Sequence, residues 1–329
     1  MRKLLFTVAV LLLVWAAVVV PIPLAVTEPS PAIAVPEVIA FDDGLPSELP
    51  AELHITVVRL APATIATAAR VLAVDGRELT LLPTLLPPDV DQERFEEFQQ
   101  ELFRESIRAA VAVGLDAAGL EITVDGDGAR VVATLPGTPG ADAFEEGDVI
   151  TAVDDREVAL ASELVSILGD RRAGEQVRVT ILRDGQELTQ HVELVPLETG
   201  MEVGQIGLGI LVTTVDLRID APVEARAVEA RRIGGPSAGL LLALAAYDAA
   251  TEDALAGGRV VAGTGTIDLG GNVGAVDGIA AKVRGAVLVD AEVFLVPAEL
   301  VDVARAAAPA ELEVVGVATL NEAIDALTQ

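Results

Sequence analysis

Behind Arg2 and Lys3 the chain runs from Leu4 to Val20 without a charge, and Pro21-Ile-Pro-Leu-Ala-Val26 prolongs the run with only prolines interrupting. No other feature constrains the fold as strongly, because an apolar run of about 20 residues can cross a bilayer as a helix. The positive-inside rule keeps Arg2 and Lys3 in the cytoplasm, so the rest of the chain is expected on the far side of the cell membrane, held by a single-pass anchor over residues 1–26. Ala32-Ile-Ala34 has the form of a signal-peptidase site, but it follows the run by more than a signal peptide allows, so a retained anchor is expected.

The body that follows is long enough for two or three domains. At 329 residues and 52% hydrophobic content it has ample material for packed cores. A formal charge of -29, with no cluster of Lys or Arg set against it, repels phosphate backbones and excludes nucleic acid as a partner. Cysteine is absent, which removes disulfides, thiol nucleophiles and Cys-type zinc sites. The two histidines, His54 and His191, each sit in an alternating strand-like stretch without a second metal ligand nearby, so both are expected to be ordinary strand residues and no metal or cofactor is expected.

A Pro-rich connector (27–50) leads to a strand at Leu53-His-Ile-Thr-Val-Val58. Residues 89–113 predict a helix, capped by Asp89 or Asp91, with Phe95, Phe98, Leu102 and Ile107 near helical spacing. From about Gly119 the chain turns to short β-segments: Glu121–Val124, Arg130–Leu135, then a Gly/Pro loop and Gly147-Asp-Val-Ile-Thr-Ala-Val-Asp-Asp155. A helix at Ser162–Leu168 and a hairpin, Gln176–Leu182 with Glu187–Val195, follow; Asp184-Gly185 supplies the turn signal. This stretch resembles a PDZ domain of the bacterial protease-associated kind, which implies binding of extended peptides or C-termini by strand addition beside a helix. No Gly-Leu-Gly-Phe-like element precedes Val131, so the resemblance names no binding residues.

The last third opens with a strand at Ile206–Val215 and reaches Ile233-Gly-Gly-Pro-Ser-Ala-Gly239, which runs directly into the apolar stretch Leu240–Ala246. A small-residue turn at a helix start exposes a serine hydroxyl and leaves backbone N–H groups of Gly235, Ser237 and Ala238 available for an oxyanion. Equally, Ser237 could serve only as a helix cap. Lysine occurs only at positions 3 and 282, every other basic residue being arginine or histidine. Arginine stays protonated, whereas a buried amine can be driven neutral and act as a base. With no cysteine and both histidines remote, a Ser-Lys dyad is the route left open to a serine nucleophile, Lys282 lying in the apolar segment Gly278-Ile-Ala-Ala-Lys-Val283.

Gly235-Pro-Ser-Ala-Gly239, Gly263-Thr-Gly-Thr-Ile267 and Gly278-Ile-Ala-Ala-Lys282 resemble, in order and spacing, the proteolytic domain of Lon-type serine proteases. The whole layout resembles the membrane-anchored PDZ-Lon proteases of Gram-positive bacteria, the YlbL-like family. The resemblance implies an α+β, multidomain chain: a transmembrane helix (1–26), a small α/β membrane-proximal module (27–115), a β-rich PDZ domain (116–198) and a Lon-type proteolytic α/β domain (199–329). It implies Ser237 as nucleophile, Lys282 as base and Thr264 as a supporting residue. It further implies protein or peptide substrates and a homo-oligomer, since Lon-type domains commonly form rings. Gly234 stands where true Lon has an Asp. No Gly-Lys-Ser/Thr exists in the chain, so a P-loop is excluded and ATP independence is expected. The alternative is a non-catalytic envelope adaptor that binds tails through its PDZ domain and keeps a remnant Lon-like fold.

Overall fold

A computed structural model describes residues 6–7, 15–41, 44–45, 48–50, 52–71, 78–81, 92–169, 171–197, 206–223, 225–228, 233–251 and 254–328. In chain order the elements that build the site are β1 (Pro21–Pro29), β2 (Ile33–Ala34), β3 (Leu53–Ile55), β4 (Val58–Thr64), β5 (Glu78–Leu81) and helix α1 (Gln92–Ala117). Next come β6 (Ala129–Thr134), β7 (Val149–Val153), α2 (Ala161–Gly169), β8 (Gln176–Arg183), β9 (Gln186–Glu193) and β10 (Ile210–Thr214). The chain closes with α3 (Gly239–Thr251), β11 (Val261–Gly263), α4 (Ile279–Val287), β12 (Val293–Pro297), β13 (Glu313–Val317) and α5 (Leu320–Thr328). The molecule is a mixed α+β chain of more than one domain.

The expectation of an anchor meets two findings. Most of Leu4–Val20, with Arg2 and Lys3, lies outside the described residues, and among the described residues no helix is long and apolar enough to cross a membrane. Pro21–Val26 is not a continuation of that run: it belongs to β1, which lies between β4 and β5 in a three-stranded antiparallel sheet. Ala25, Val26 and Thr27 are buried in this strand, Val26 over Ala63 and Val71, and the register with β4 shifts between Pro21 and Ala25, where Pro23 has no N–H to give the ladder.

Residues 27–115 do not form a module of their own. β2 and β3 extend a five-stranded sheet of order β2-β3-β11-β12-β13, in which β3, β11, β12 and β13 run parallel. Strands of two or three residues cannot bury a face alone, so Leu53 and Ile55 share one core with α1, α3, β11, β12 and α5. Every residue of Val293-Phe-Leu-Val-Pro297 is buried, as expected of a parallel strand covered on both faces. Leu240 to Ala246 of α3 are all fully buried, so the helix lies inside the core and not on its surface.

The predicted helix over 89–113 is α1; Asp89, Asp91 and the side chains of Phe95 and Phe98 lie outside the described residues. Phe103, Ile107, Ala110, Val111 and Leu115 form its buried stripe. A Cβ at Gly114 would sit 2.2 Å from the Ala243 carbonyl oxygen, so only glycine permits α1 and α3 to pack this closely. The helix ends in a Schellman motif: Gly119 has φ +84°, Leu120 N–H donates to Leu115 O, and Gly119 N–H donates to Asp116 O.

Strands Thr123–Asp125 and Arg218–Asp220 pair antiparallel and form the stem through which the intervening residues enter and leave. Those residues build a separate core around Val131, Ile150, Leu164, Val179 and Ile181. Their six-stranded sheet has the order β9-β8-β7-β6-β10, with Arg156–Glu157 paired to β7. The predicted hairpin is β8–β9, and its turn residues Asp184 and Gly185 have φ of 51° and 75°, the type I′ signature. The strand at Ile206–Val215, expected to open the last domain, instead supplies β10 to this sheet beside β6. The boundary at 198/199 is corrected accordingly: the inserted unit runs on to the stem strand at Asp220.

Candidate active site and peptide edge

β11 is central in the parallel sheet, and the chain leaving its carboxyl end carries Thr264, where sites in such sheets commonly form. Thr264 is fully buried, and its backbone N–H donates to Leu295 O of β12 at 3.0 Å. Thr56, 1% exposed, caps the same edge by donating Oγ1 to Gly263 O at 2.9 Å. Gly263 admits the neighbouring helix: a Cβ there would meet Leu241 Cδ2 at 2.5 Å.

The turn 235–238 leads into α3. Gly235 has φ +82°, which glycine adopts without strain, and its N–H donates to Gln99 O of α1 at 2.9 Å. Gly235 is therefore removed from the expected oxyanion donors, its proton being spent on α1. The N–H groups of Ser237 and Ala238 have no hydrogen-bond partner among the described residues, while those of Gly239 and Leu240 are satisfied by Pro236 O and Gly265 O. The turn is held from both sides. Ser106 Oγ of α1 donates to Pro236 O at 3.2 Å, and Gly265 N–H donates to Ser237 O at 2.9 Å. Ser237 is half-buried, and its hydroxyl makes no hydrogen bond among the described residues, so it does not act as the cap of α3.

Lys282 lies in the second turn of α4, 3% exposed. Its Nζ donates to Thr264 Oγ1 at 2.9 Å, and Thr264 Oγ1 donates to Ser237 O at 3.1 Å. The three expected residues are thus brought together in one hydrogen-bonded chain. The amine reaches Ser237 through Thr264 and the main chain, with no direct bond to the hydroxyl among the described residues. Burial pushes the Lys282 amine down to about 8, and Asp277 pulls partly in the opposite direction. Asp277 is exposed at the surface, yet partial desolvation raises its carboxyl, with Lys282 opposing. Asp277 stands five positions before Lys282 in the sequence, separated from α4 by the αL residue Gly278, so nothing in the local pattern marks it as the amine's charged neighbour. His54 on β3 and His191 on β9 are strand residues, and among the described residues no group of side chains could hold a metal ion.

The inserted unit presents a second surface. β10 is the edge of its sheet, and α2 packs alongside it. The Gly-Leu-Gly element absent upstream of Val131 occurs downstream, as Gly207-Leu-Gly-Ile210 leading into β10; a search in the opposite chain direction would have found it. Gly209, with φ +78°, is fixed by Leu135 N–H and Thr138 Oγ1, both donating to its carbonyl. A family model described as a PDZ domain matches residues 117–194. The chain contains a PDZ domain. Strand β10, which lies beyond the matched residues, completes the sheet of that domain.

Solved structures similar to this chain include PDZ domains of SdrC-like proteins from Listeria monocytogenes and Listeria innocua. They are 23% and 22% identical, each covers 26% of this chain, and 87% and 93% of their own chains are covered; the TM-score is 0.24 in both cases. A solution structure from Geobacillus thermodenitrificans is 34% identical over 26% of this chain and 95% of its own, with a TM-score of 0.23. No curated protein matches the chain. A PDZ domain points to recognition of proteins or peptides.

Proposed function

We propose that this chain is an ATP-independent serine endopeptidase with a Ser237–Lys282 dyad, a Lon-type proteolytic fold of the YlbL-like kind, and a PDZ domain that recognises or regulates its protein substrates. The observation that carries the reading is the buried Lys282 amine, lowered to about 8 and hydrogen-bonded through Thr264 to the carbonyl of Ser237. An amine so placed is neutral in roughly a tenth of molecules at pH 7. Thr264 gives its own proton to Ser237 O and accepts one from Nζ, so the lone pair of the neutral amine stays available for the serine proton.

In the reaction Lys282 takes the proton of Ser237, and the hydroxyl oxygen attacks a peptide carbonyl. The unpaired N–H groups of Ser237 and Ala238 hold the developing oxyanion. The ammonium then returns its proton to the leaving amine as the C–N bond breaks, and the neutral amine activates water to hydrolyse the acyl-enzyme. The run Leu4–Val20 behind Arg2 and Lys3 supports attachment to the cell membrane with the catalytic body outside the cytoplasm.

Cleavage of fluorescently labelled casein without nucleotide tests the proposal. Activity is expected to vanish in Ser237→Ala and in Lys282→Arg, the latter keeping the charge while losing the ability to become neutral. Proteolysis retained by either variant contradicts the dyad; no cleavage by the wild-type chain leaves the adaptor reading, in which only the PDZ domain is functional.

A further inference from the structure

Two consecutive residues of α1 bond to opposite parts of the molecule. Glu105 accepts a hydrogen bond from Thr214 Oγ1 at the end of β10, and Thr214 Oγ1 in turn accepts the N–H of Ala161, the first residue of α2, at 3.1 Å. This one carboxylate therefore ties α1 to both walls of the PDZ groove, the edge strand and the helix beside it. Ser106 donates to Pro236 O, and Gln99, seven residues earlier and so on nearly the same face, accepts Gly235 N–H through its carbonyl. The fit is close: a Cβ on Gly234 would lie 3.0 Å from Gln99 Cβ, and one on Gly239 would lie 3.3 Å from Ser106 Oγ.

We propose that α1 positions the nucleophile turn, with Ser106 and Gln99 as positioning residues, and that the Glu105–Thr214 bond couples that turn to the PDZ groove between β10 and α2. Because α1 is one continuous helix anchored on α3, a shift at Glu105 is carried to Ser106 with little room for local slack. Burial raises the Glu105 carboxyl, so the bond from Thr214 is made in surroundings where losing it is costly. The catalytic consequence rests on the reading of Ser237 as nucleophile; the mechanical coupling does not.

The full chain is compared with Thr214→Val, Glu105→Ala, Glu105→Gln and Ser106→Ala, reading hydrogen exchange in residues 233–242 together with kcat and KM on labelled casein. Thr214→Val, Glu105→Ala and Ser106→Ala should raise exchange in 233–242 by roughly tenfold, the size expected for one lost buried hydrogen bond, and lower kcat with KM little changed. Glu105→Gln, which keeps an acceptor for Thr214, should stay near wild type in both. If Thr214→Val perturbs exchange only within the PDZ domain and leaves 233–242 unchanged, the coupling is overturned. If instead exchange responds as expected while Ser237→Ala still cleaves casein, the coupling stands and the nucleophile assignment fails.

Discussion

Replacing Lys282 with methionine should stabilise the protein while abolishing its chemistry. In the unfolded chain the amine titrates near the ordinary lysine value of 10.5, and in the folded chain burial holds it at about 8. Between these two values the unfolded state binds a proton that the folded state does not, so stability rises with pH through this window. Below about 8 both states are protonated and the folded state bears the whole cost of a buried ammonium, about 3 kcal/mol from the gap in pKa. Lys282→Met keeps the apolar stem and removes the charge. It also forfeits the hydrogen bond to Thr264, at about 1 kcal/mol, and the attraction to Asp277. The net gain at pH 7 is therefore about 2 kcal/mol. Urea unfolding at pH 7 and pH 10, with the difference between variant and wild type taken at each, isolates Lys282 from every other titrating group. The advantage of the variant should be present at pH 7 and gone by pH 10. An equal difference at both pH values would refute the argument that the buried amine carries a protonation penalty.

Asp277→Asn removes the charge that holds the Lys282 amine up, so the pH at which activity rises should move down and casein cleavage at pH 7 should increase; an unchanged or upward-shifted profile contradicts that role. The PDZ unit needs β10: a fragment of residues 117–197 should unfold at lower urea than one of 121–220, which keeps the edge strand and the stem pair, and equal midpoints would show that β10 adds nothing to the sheet.

The parts of this molecule that were legible in the sequence are those specified locally. The hairpin β8–β9 follows from alternation with an Asp-Gly turn, α1 from helical spacing, and α3 from a small-residue turn opening into an uninterrupted apolar run. The candidate site was legible for the same reason: a lone distal lysine and a Gly-Pro-Ser-Ala-Gly turn are unusual residues in short motifs, and Lys282, Thr264 and Ser237 do meet. What was not legible depends on long-range pairing. Alternation marks Leu53–Ile55 as a strand, but not its parallel pairing with β11, some 200 residues later in the chain, nor the addition of Ile33–Ala34 to its other edge, since no local window contains those partners. The insertion of the PDZ domain likewise shows only when Thr123–Asp125 pairs with Arg218–Asp220. Gly235 illustrates the same limit at the site, since its N–H is consumed by a carbonyl on a helix more than a hundred residues upstream.

The central claim is that a neutral Lys282 activates Ser237. The pH dependence of Ser237 labelling by a fluorophosphonate, in the full chain without nucleotide, tests it most directly. The rate should climb about tenfold per pH unit below about 8 and level off above it, and should be lost at every pH in Lys282→Arg. A labelling rate independent of pH, or one that survives in Lys282→Arg, would contradict the claim.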